Sequence, residues 1–512
     1  MKLKTLSIVF LVIVMHTGVF AQPGTLDNTF GSNGIATTLI NTSSYNELTK
    51  IQVQTDGKII AAGFINLPTG RYAVSVVRYQ ASGKPDSSFG NNGIVIVPQL
   101  QPNANDFSHD LKLLPNGQIV VAGESAPFSG KPDLFLLLLK SNGIVDSSFG
   151  DNGKIFTDFE DGDEHDGSII FQKDRKVVIA GSSGGHNGSN KFVIARYKSN
   201  ASPDSSFGTN GKIITRGLVQ CFLSDAAIQK DGKIVVVGGS AITSSFDNTL
   251  IRYNTNGTLD PSFGNGGKTF THVNDNTNAL PASISILPNG KFVVGGLLGI
   301  NGTFQLGLFK YNANGTLDST FNGNGIVISD LSDRGIGAIA LQPDGKIIQA
   351  GGLNGDFLLV RYNADGTKDN SFGTNGTVTT PVGSFYTGAN SVALQKDGKI
   401  VAAGPSQAGH FILARYLNDN NLFTSFAVNN ESIKTLPSHT QSIFVYPNPA
   451  KDILHIQVSG KASVSLINQS GKTLITTTIN NKGEMNIAHL SAGLYYLKNN
   501  ATGAVQKVIV NK

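Results

Sequence analysis

The chain has one cysteine, Cys221, no tryptophan and three methionines in 512 residues. A lone thiol has no partner, so a disulfide framework is excluded. No histidine stands beside Cys221 in a nucleophile motif, and it reads as a buried or loop thiol. A Walker loop, H-E-x-x-H and C-x-x-C are all missing. Of nine histidines, His16 lies in the N-terminal segment and His439, His455 and His489 fall near the C-terminus; the other five are scattered along the chain. Beyond the first 21 residues no apolar run reaches about 18 residues, so no transmembrane segment is expected in the mature chain. Charged residues are scarce at 15%, against 39% hydrophobic, which excludes a charged disordered chain. The net charge of +5 is misleading. Residues 1–21 carry +2 and residues 442–512 carry +5, leaving about −2 on the body between them. A basic nucleic-acid face is therefore excluded, and no nucleic-acid partner is expected.

Glycine is abundant, 60 residues, without the strict three-residue period of collagen. It belongs to a repeat. One phrase recurs seven times: Asp27 to Phe30, Asp86 to Phe89, Asp146 to Phe149, Asp204 to Phe207, Asp260 to Phe263, Asp318 to Phe321 and Asp369 to Phe372, each followed by Gly or, once, Asn322. The phenylalanines are 59, 60, 58, 56, 58 and 51 residues apart. A second phrase of the type Asp56-Gly57-Lys58 precedes an apolar run in every unit, and a third, Arg78-Tyr79 or a variant such as Lys140, closes it. Each unit reads as four short strands. Asp-Gly between the second and third signals a two-residue hairpin whose central residues need φ > 0. Asp174-Arg175 breaks that rule, so the third unit's turn should differ. Asn322, where the others have Gly, implies a left-handed position.

Runs such as Phe135 to Leu139 are apolar at consecutive positions, which describes strands buried on both faces. Each sheet must then be covered by neighbouring sheets. A linear stack would need polar end units, yet Ile59-Ile60 and Ile400-Val401 match the middle units. The expected fold is all-β: a seven-bladed β-propeller of four-stranded repeats over residues 22–416, with a β-solenoid as the alternative. The phrases resemble the delta-60 repeat family of bacterial secreted proteins over about residues 23–416. That resemblance implies a propeller-like body and no particular chemistry.

Both ends read as export signals. Lys2 and Lys4, an apolar run from Leu6 to Met15 and the small residues Val19 and Ala21 read as a Sec signal peptide over 1–21, cut between Ala21 and Gln22. Residues 417–441 are a polar linker. Over 442–512, short alternating strands predict a small Ig-like β-sandwich. Tyr446-Pro447-Asn448-Pro449, the Gly471-Lys472 turn and Gly493-Leu494-Tyr495 make it similar to the type A C-terminal sorting domain of type IX secretion cargo in Bacteroidetes. This resemblance implies the type IX machinery as partner, outer-membrane translocation, and a product secreted or held on the outer cell surface.

The seven copies also sort the two ends of each sheet. The constant phrases fall at one end and the variable loops at the other, so one face reads as architectural and the other as free to acquire function, although loops also vary by drift. Exposed-loop aromatics Tyr45, Phe128, Phe246 and Tyr386 are candidates for ligand contact. Asp158, Glu160, Asp161 and Asp163 are the best calcium candidates, although they lack EF-hand spacing and a solvated acidic loop explains them too. No cofactor is expected. The sevenfold Asp and Phe read as turn and packing residues, and Gly181-Ser182-Ser183-Gly184-Gly185 as a chance match to a hydrolase elbow, since a strand-to-strand loop cannot form one. Two readings stay open: a propeller binding an extracellular glycan or protein, or a propeller hydrolase or lyase acting on polysaccharide. Clustered His, Arg and carboxylates facing the channel would favour the second.

Overall fold

Consecutive β-branched and leucine side chains force the body's middle strands between sheets. Ile59–Asn66 and Tyr72–Tyr79 are buried almost throughout, as are their counterparts Val177–Ser183 and Lys191–Tyr197. The computed structural model describes residues 22–41, 45–160, 162–184, 190–241, 245–332, 337–382, 388–406, 409–419, 444–446, 450–468, 472–500 and 505–511. Two compact units divide the chain, Met1–Phe426 and Ala427–Lys512. The signal-peptide residues up to Ala21 lie outside the described residues.

The first unit is a seven-bladed β-propeller of four-stranded antiparallel sheets. Blade 1 comprises Asn46–Val53, Ile59–Asn66, Tyr72–Tyr79 and Ile94–Val97, in that order from the axis outward. Blades 2 to 6 repeat the pattern, with innermost strands Ala104–Leu113, Glu164–Phe171, Phe222–Ile228, Thr277–Ile286 and Ile339–Leu341. Blade 7 takes Ser391–Leu394, Ile400–Pro405 and His410–Tyr416, and is completed by Ile35–Leu39 from the other end of the body. Each blade is thus three strands of one sequence unit plus the first strand of the next. This one-strand offset closes the ring through backbone pairing, Ile35 with Ala414 through Leu39 with His410. Leu417 continues the seam with bonds to Gly24 and Thr25, so the body extends past Tyr416.

Innermost strands touch their neighbours around the axis, including Asn46–Val53 against Ser391–Leu394 across the seam. Side chains stitch them. Asp110 accepts from Ile169 N (2.9 Å), Ser168 Oγ from Ala226 N (3.1 Å), Asp225 from Ile284 N (3.0 Å), Ser283 Oγ from Ile339 N (3.1 Å) and Ser391 Oγ from Ile51 N (3.1 Å). Ala338 occupies the corresponding position of blade 6 and has no polar group to offer.

The hairpin expectation needs correction. Gly57 N bonds Gln54 O and Gln54 N bonds Lys58 O, and only Gly57 has positive φ (+85°). This is a four-residue turn closed by a left-handed bulge, and Asp56 stays at negative φ. Arg175 takes the same left-handed place at φ +66°, with the same two bonds through Gln172, so the third turn does not differ. Asn322 does sit at φ +49°, beside +55° for Gly31.

In the second unit one five-stranded sheet folds over a single core. Its long strand Ile453–Asn468 shifts register between Gln457 and Lys461. The first half pairs with Phe444–Tyr446, the second with Gly493–Asn499. Leu454, Ile456, Val464, Leu466, Ile479, Met485, Leu497 and Val508 fill the core from both halves. Lys472 O accepts from Asn468 N across the expected turn (3.0 Å), Gly493 pairs with Val510, and Tyr495 OH donates to Ser491 O (2.9 Å). Tyr446 pairs with His455, while Pro447, Asn448, Pro449 and Gly471 lie outside the described residues.

Candidate functional site

The constant face is built for closure. In blade 1, Arg78 Nε stands 2.8 Å and Lys58 Nζ 3.1 Å from Asp86 Oδ2, while Ser88 Oγ donates to Oδ1 (2.8 Å). Arg78 also donates to Ser141 O of blade 2 (2.6 Å), with its guanidinium 4.7 Å from the centre of the Phe89 ring. Arg196, Arg252, Lys310 and Arg415 likewise reach a carbonyl of the following blade and cover a phenylalanine, and Arg361 reaches Asn418. Burial pushes Asp27 and Asp369 up, but hydroxyl, lysine and arginine partners outweigh it and hold both at about 2. Blade 2 departs from the scheme. Leu138, not Lys140, fills the arginine position, and Asp146 accepts from Gln118 Nε2 (2.7 Å) and Ser148 Oγ (2.8 Å) in place of a cation. The groove between blades 3 and 4 on this face is lined by the same fastening, Lys176, Arg196, Ser206 and Thr255 among others. The charge pairs thus hold each third strand to its own following turn, and the cation reaches on to the next blade.

On the variable face, blades 1 and 2 meet in an aromatic cluster. Tyr45 and Phe64 lie 6.4 Å apart, Tyr45 and Tyr72 5.9 Å, Phe64 and Phe107 5.0 Å, and Tyr72 and Phe107 5.0 Å. Tyr45 remains half exposed. Phe128 is 79% exposed and has Arg71 over its ring at 5.1 Å. Such rings keep apolar area in water, with a polar handle on each tyrosine.

Carboxylates and imidazoles border the cluster. Tyr45 OH donates to Glu47 Oε2 (3.2 Å), and Asn390 to Glu47 Oε1 (3.3 Å). Glu47 is the cross-strand partner of Phe64, and Glu124 that of Phe107. Glu124 Oε2 lies 3.1 Å from His165 Nδ1 and 3.8 Å from His109 Nε2, and accepts from Asp166 N (3.0 Å). The hydrogen bond to Glu124 raises the His165 pKa, with Asp166 and Asp163 adding charge. Burial raises those of Glu47 and Asp166. His109 and Asp166 sit where the innermost strands skip register, and such bulges re-aim side chains. An exposed histidine held by a carboxylate is thus placed beside a half-exposed aromatic platform.

The acidic loop is arranged otherwise than its sequence order suggests. Glu160 pairs with Lys191 at 3.2 Å and with Arg216, Asp161 lies outside the described residues, and Asp163 O accepts from Gly184 N. Among the described residues, Asp158 joins a carboxylate group with Asp133 and Glu164, whose oxygens lie within 4.8 Å of one another. Glu164 is fully buried, and burial together with the Asp158 and Asp133 charges, against the Ser183 hydrogen bond, pushes it up to about 7.

Of the proposed ligand contacts, Tyr45 joins the cluster and Phe128 flanks it through Arg71. Phe246 is elsewhere, against Phe222 of blade 4 at 5.5 Å, and Tyr386 lies outside the described residues. Sequence reading missed Glu47, Phe64, Tyr72, Phe107, His109, Glu124 and His165. Aligning the innermost strands of blades 1 to 5 would have put Thr49, His109, Gly167, Ser224 and Ala282 at one bulge position and singled out His109 as its titratable member. Cys221 is buried, which pushes its thiol up to about 12.

Residues 54–89, 114–149, 172–207, 229–263, 287–321 and 342–372 match the family described as "Domain of unknown function (DUF5122) beta-propeller". Residues 444–511 match "Secretion system C-terminal sorting domain". No curated protein matches the chain. Among solved structures it is similar to virginiamycin B lyase from Staphylococcus aureus, 10% identical at TM-score 0.41, covering 75% of this chain and 99% of that one. It is similar also to a PL25 ulvan lyase bound to -[GlcA(1-4)Rha3S]-, 12% identical at TM-score 0.44, over 79% of this chain and 98% of that. A third is the Dos1 propeller, 12% identical at TM-score 0.42, over 74% and 93%. Identities this low carry no activity across. Among the described residues no helix is long and apolar enough to cross a membrane.

Proposed function

We propose that this β-propeller, exported to the cell surface or the medium by its type IX sorting domain, binds an extracellular glycan on the variable face of blades 1 to 3. The observation that carries the reading is the continuity of the Tyr45, Phe64, Tyr72 and Phe107 rings with the carboxylates Glu47 and Glu124. Sugars present apolar ring faces edged by hydroxyls, and a binding site for them needs aromatic area beside well-anchored polar acceptors. We read 1–21 as the signal peptide, 22–416 with its short extension as the binding body, 417–441 as linker and 442–512 as the address. A glycan array probed with the exported chain tests it. Binding to a glycan class that falls at least tenfold in Tyr45→Ala supports the reading. Silence on every glycan, or binding unchanged in that variant, overturns it.

A second reading rests on His165, held by Glu124 with His109 nearby. It makes the chain a hydrolase or lyase whose acid–base group is His165. New reducing ends or unsaturated products from polysaccharide, absent in His165→Ala, would establish it over simple binding.

A further inference from the structure

The group Asp133, Asp158 and Glu164 stands where blade 2 hands the chain to blade 3. Thr157 ends the outer strand of blade 2, and Glu164 opens the innermost strand of blade 3. Asp133 opens the third strand of blade 2. Three segments distant in sequence or sheet position thus bring one carboxylate each to the same point. Ser183 Oγ donates to Glu164 Oε1 (2.7 Å) and Gln101 Nε2 to Asp133 Oδ2 (3.2 Å), which fixes two of the three.

A gathering of acids is ordinary on a loop. Glu164 is not. Its side chain is wholly buried, Oε2 has no hydrogen-bond partner among the described residues, and the carboxylate gives one oxygen to the group. A buried carboxylate oxygen without a donor is costly. Lys212 does not fill the role, because its Nζ is spent on the backbone oxygen of Asp158 and over the Phe159 ring at 5.4 Å. Three oxygens within 4.8 Å of one another share a centre at most about 2.8 Å from each, so a shift of a few tenths of an ångström brings them to the 2.3–2.6 Å contact of calcium. The donors are all hard oxygens, with no sulfur or imidazole among them, and magnesium demands a tighter octahedron than this open group supplies.

We infer that Asp133, Asp158 and Glu164 bind one calcium ion that ties blade 2 to the entry of blade 3. Water or backbone oxygens complete the shell. The ion's two positive charges offset most of the three carboxylate charges, and it holds the segment carrying His165 and Asp166, immediately beyond Glu164. The fold itself rests on its strands, so the ion adds stability to an assembled ring. With three protein carboxylates at a solvent-accessible edge, affinity belongs with extracellular modules, about 10⁻⁴ to 10⁻³ M.

The test is calorimetric titration of chelator-stripped full-length chain with calcium chloride, and separately with magnesium chloride, alongside thermal melts. The expected result is one calcium equivalent, binding at least tenfold more weakly for magnesium, and a melting temperature that rises with calcium. Asp133→Asn and Glu164→Gln should each weaken calcium at least tenfold, and Glu160→Gln should leave it unchanged. Should Glu164→Gln fail to fold, Asp133→Asn decides alone. No heat with calcium at several millimolar, or undiminished affinity in Asp133→Asn, overturns the site. Because neither readout involves a glycan, its failure is separate from failure of the binding reading.

Discussion

Arg415, in the last strand of the propeller, places its Nε 2.9 Å from Oδ2 of Asp27, in the turn that precedes the chain's first propeller strand. Lys399 reaches the same oxygen at 3.0 Å. The seam of the ring is therefore fastened by the same acid–base contact found within blades 1, 3, 4, 5 and 6, and by the pairing of Ile35–Leu39 with His410–Tyr416. Propeller blades are held by packing between sheets; here the charge fastening repeats with the sequence phrase that encodes it.

Acid should act on this fastening first. Asp27 and Asp369 sit at about 2, below their ordinary 3.8. A carboxylate depressed in the folded state contributes stability that is present above its unfolded pKa and lost as pH falls through the folded one. The body should hold its stability down to about pH 4 and lose it progressively toward pH 2. Urea midpoints between pH 6 and 2 check this. Asp27→Asn should lower stability at pH 7 by about 3 kcal/mol, since it leaves a buried arginine without its charge partner, and should flatten the acid limb.

Phe30 packs the seam from below the Arg415 guanidinium, fully buried against Val77, Val401 and Leu413 from blades 1 and 7. Phe30→Ala should cost about 3–5 kcal/mol, transfer and cavity terms together. Phe128→Ala, at a 79% exposed position, should cost under about 0.5 kcal/mol. Denaturant unfolding of the two variants measures both.

The repeat number and the four-stranded blades were legible because the phrase that marks them is written seven times. Sheet membership was not. The phrase that starts a unit says where a turn lies, not which strand pairs across it, so the swap of Ile35–Leu39 into blade 7 stayed hidden. Leu138 was likewise masked by the neighbouring Lys140, which sits one step past the closing position. The candidate site was half legible. Tyr45 and Phe128 stood out as loop aromatics, but Phe64 and Phe107 lie inside strands of different units, and only blade packing brings them to 5.0 Å. The acidic loop misled because nearness in sequence sent Glu160 toward Asp158, whereas the strands bring Asp133 and Glu164 there instead.

Ligand contact can be mapped by contrasting two aromatic positions. Tyr45→Ala removes a half-exposed ring and the donor to Glu47, and should weaken glycan binding roughly tenfold, or about 1.4 kcal/mol. Phe246→Ala, on blade 4 beside Phe222, should leave affinity within about twofold. Equal losses in both would mean that the contact surface is not the cluster of blades 1 and 2. Titration of each variant against the best array hit decides between these outcomes.

Export depends on a unit whose core is its own. The C-terminal core draws Leu454, Val464, Met485, Leu497 and Val508 from that unit alone, and the propeller closes with Ile35–Leu39 rather than with any strand of it. Deleting 442–512 should therefore leave the body folded, with its melting temperature unchanged within about 2 °C, because its blades take no strand from that segment. The same deletion removes the sorting domain matched at 444–511, so the truncated chain should accumulate in the periplasm. The exported product of the intact chain should begin at Gln22 and lack the tail. It should be near neutral, since residues 1–21 and 442–512 carry +2 and +5 of formal charge. Mass spectrometry of the medium and the cell surface reads both ends directly. Efficient export of the truncated chain would show that the address lies within the propeller, and an exported chain still bearing Lys512 would show that the tail is retained as part of the working protein.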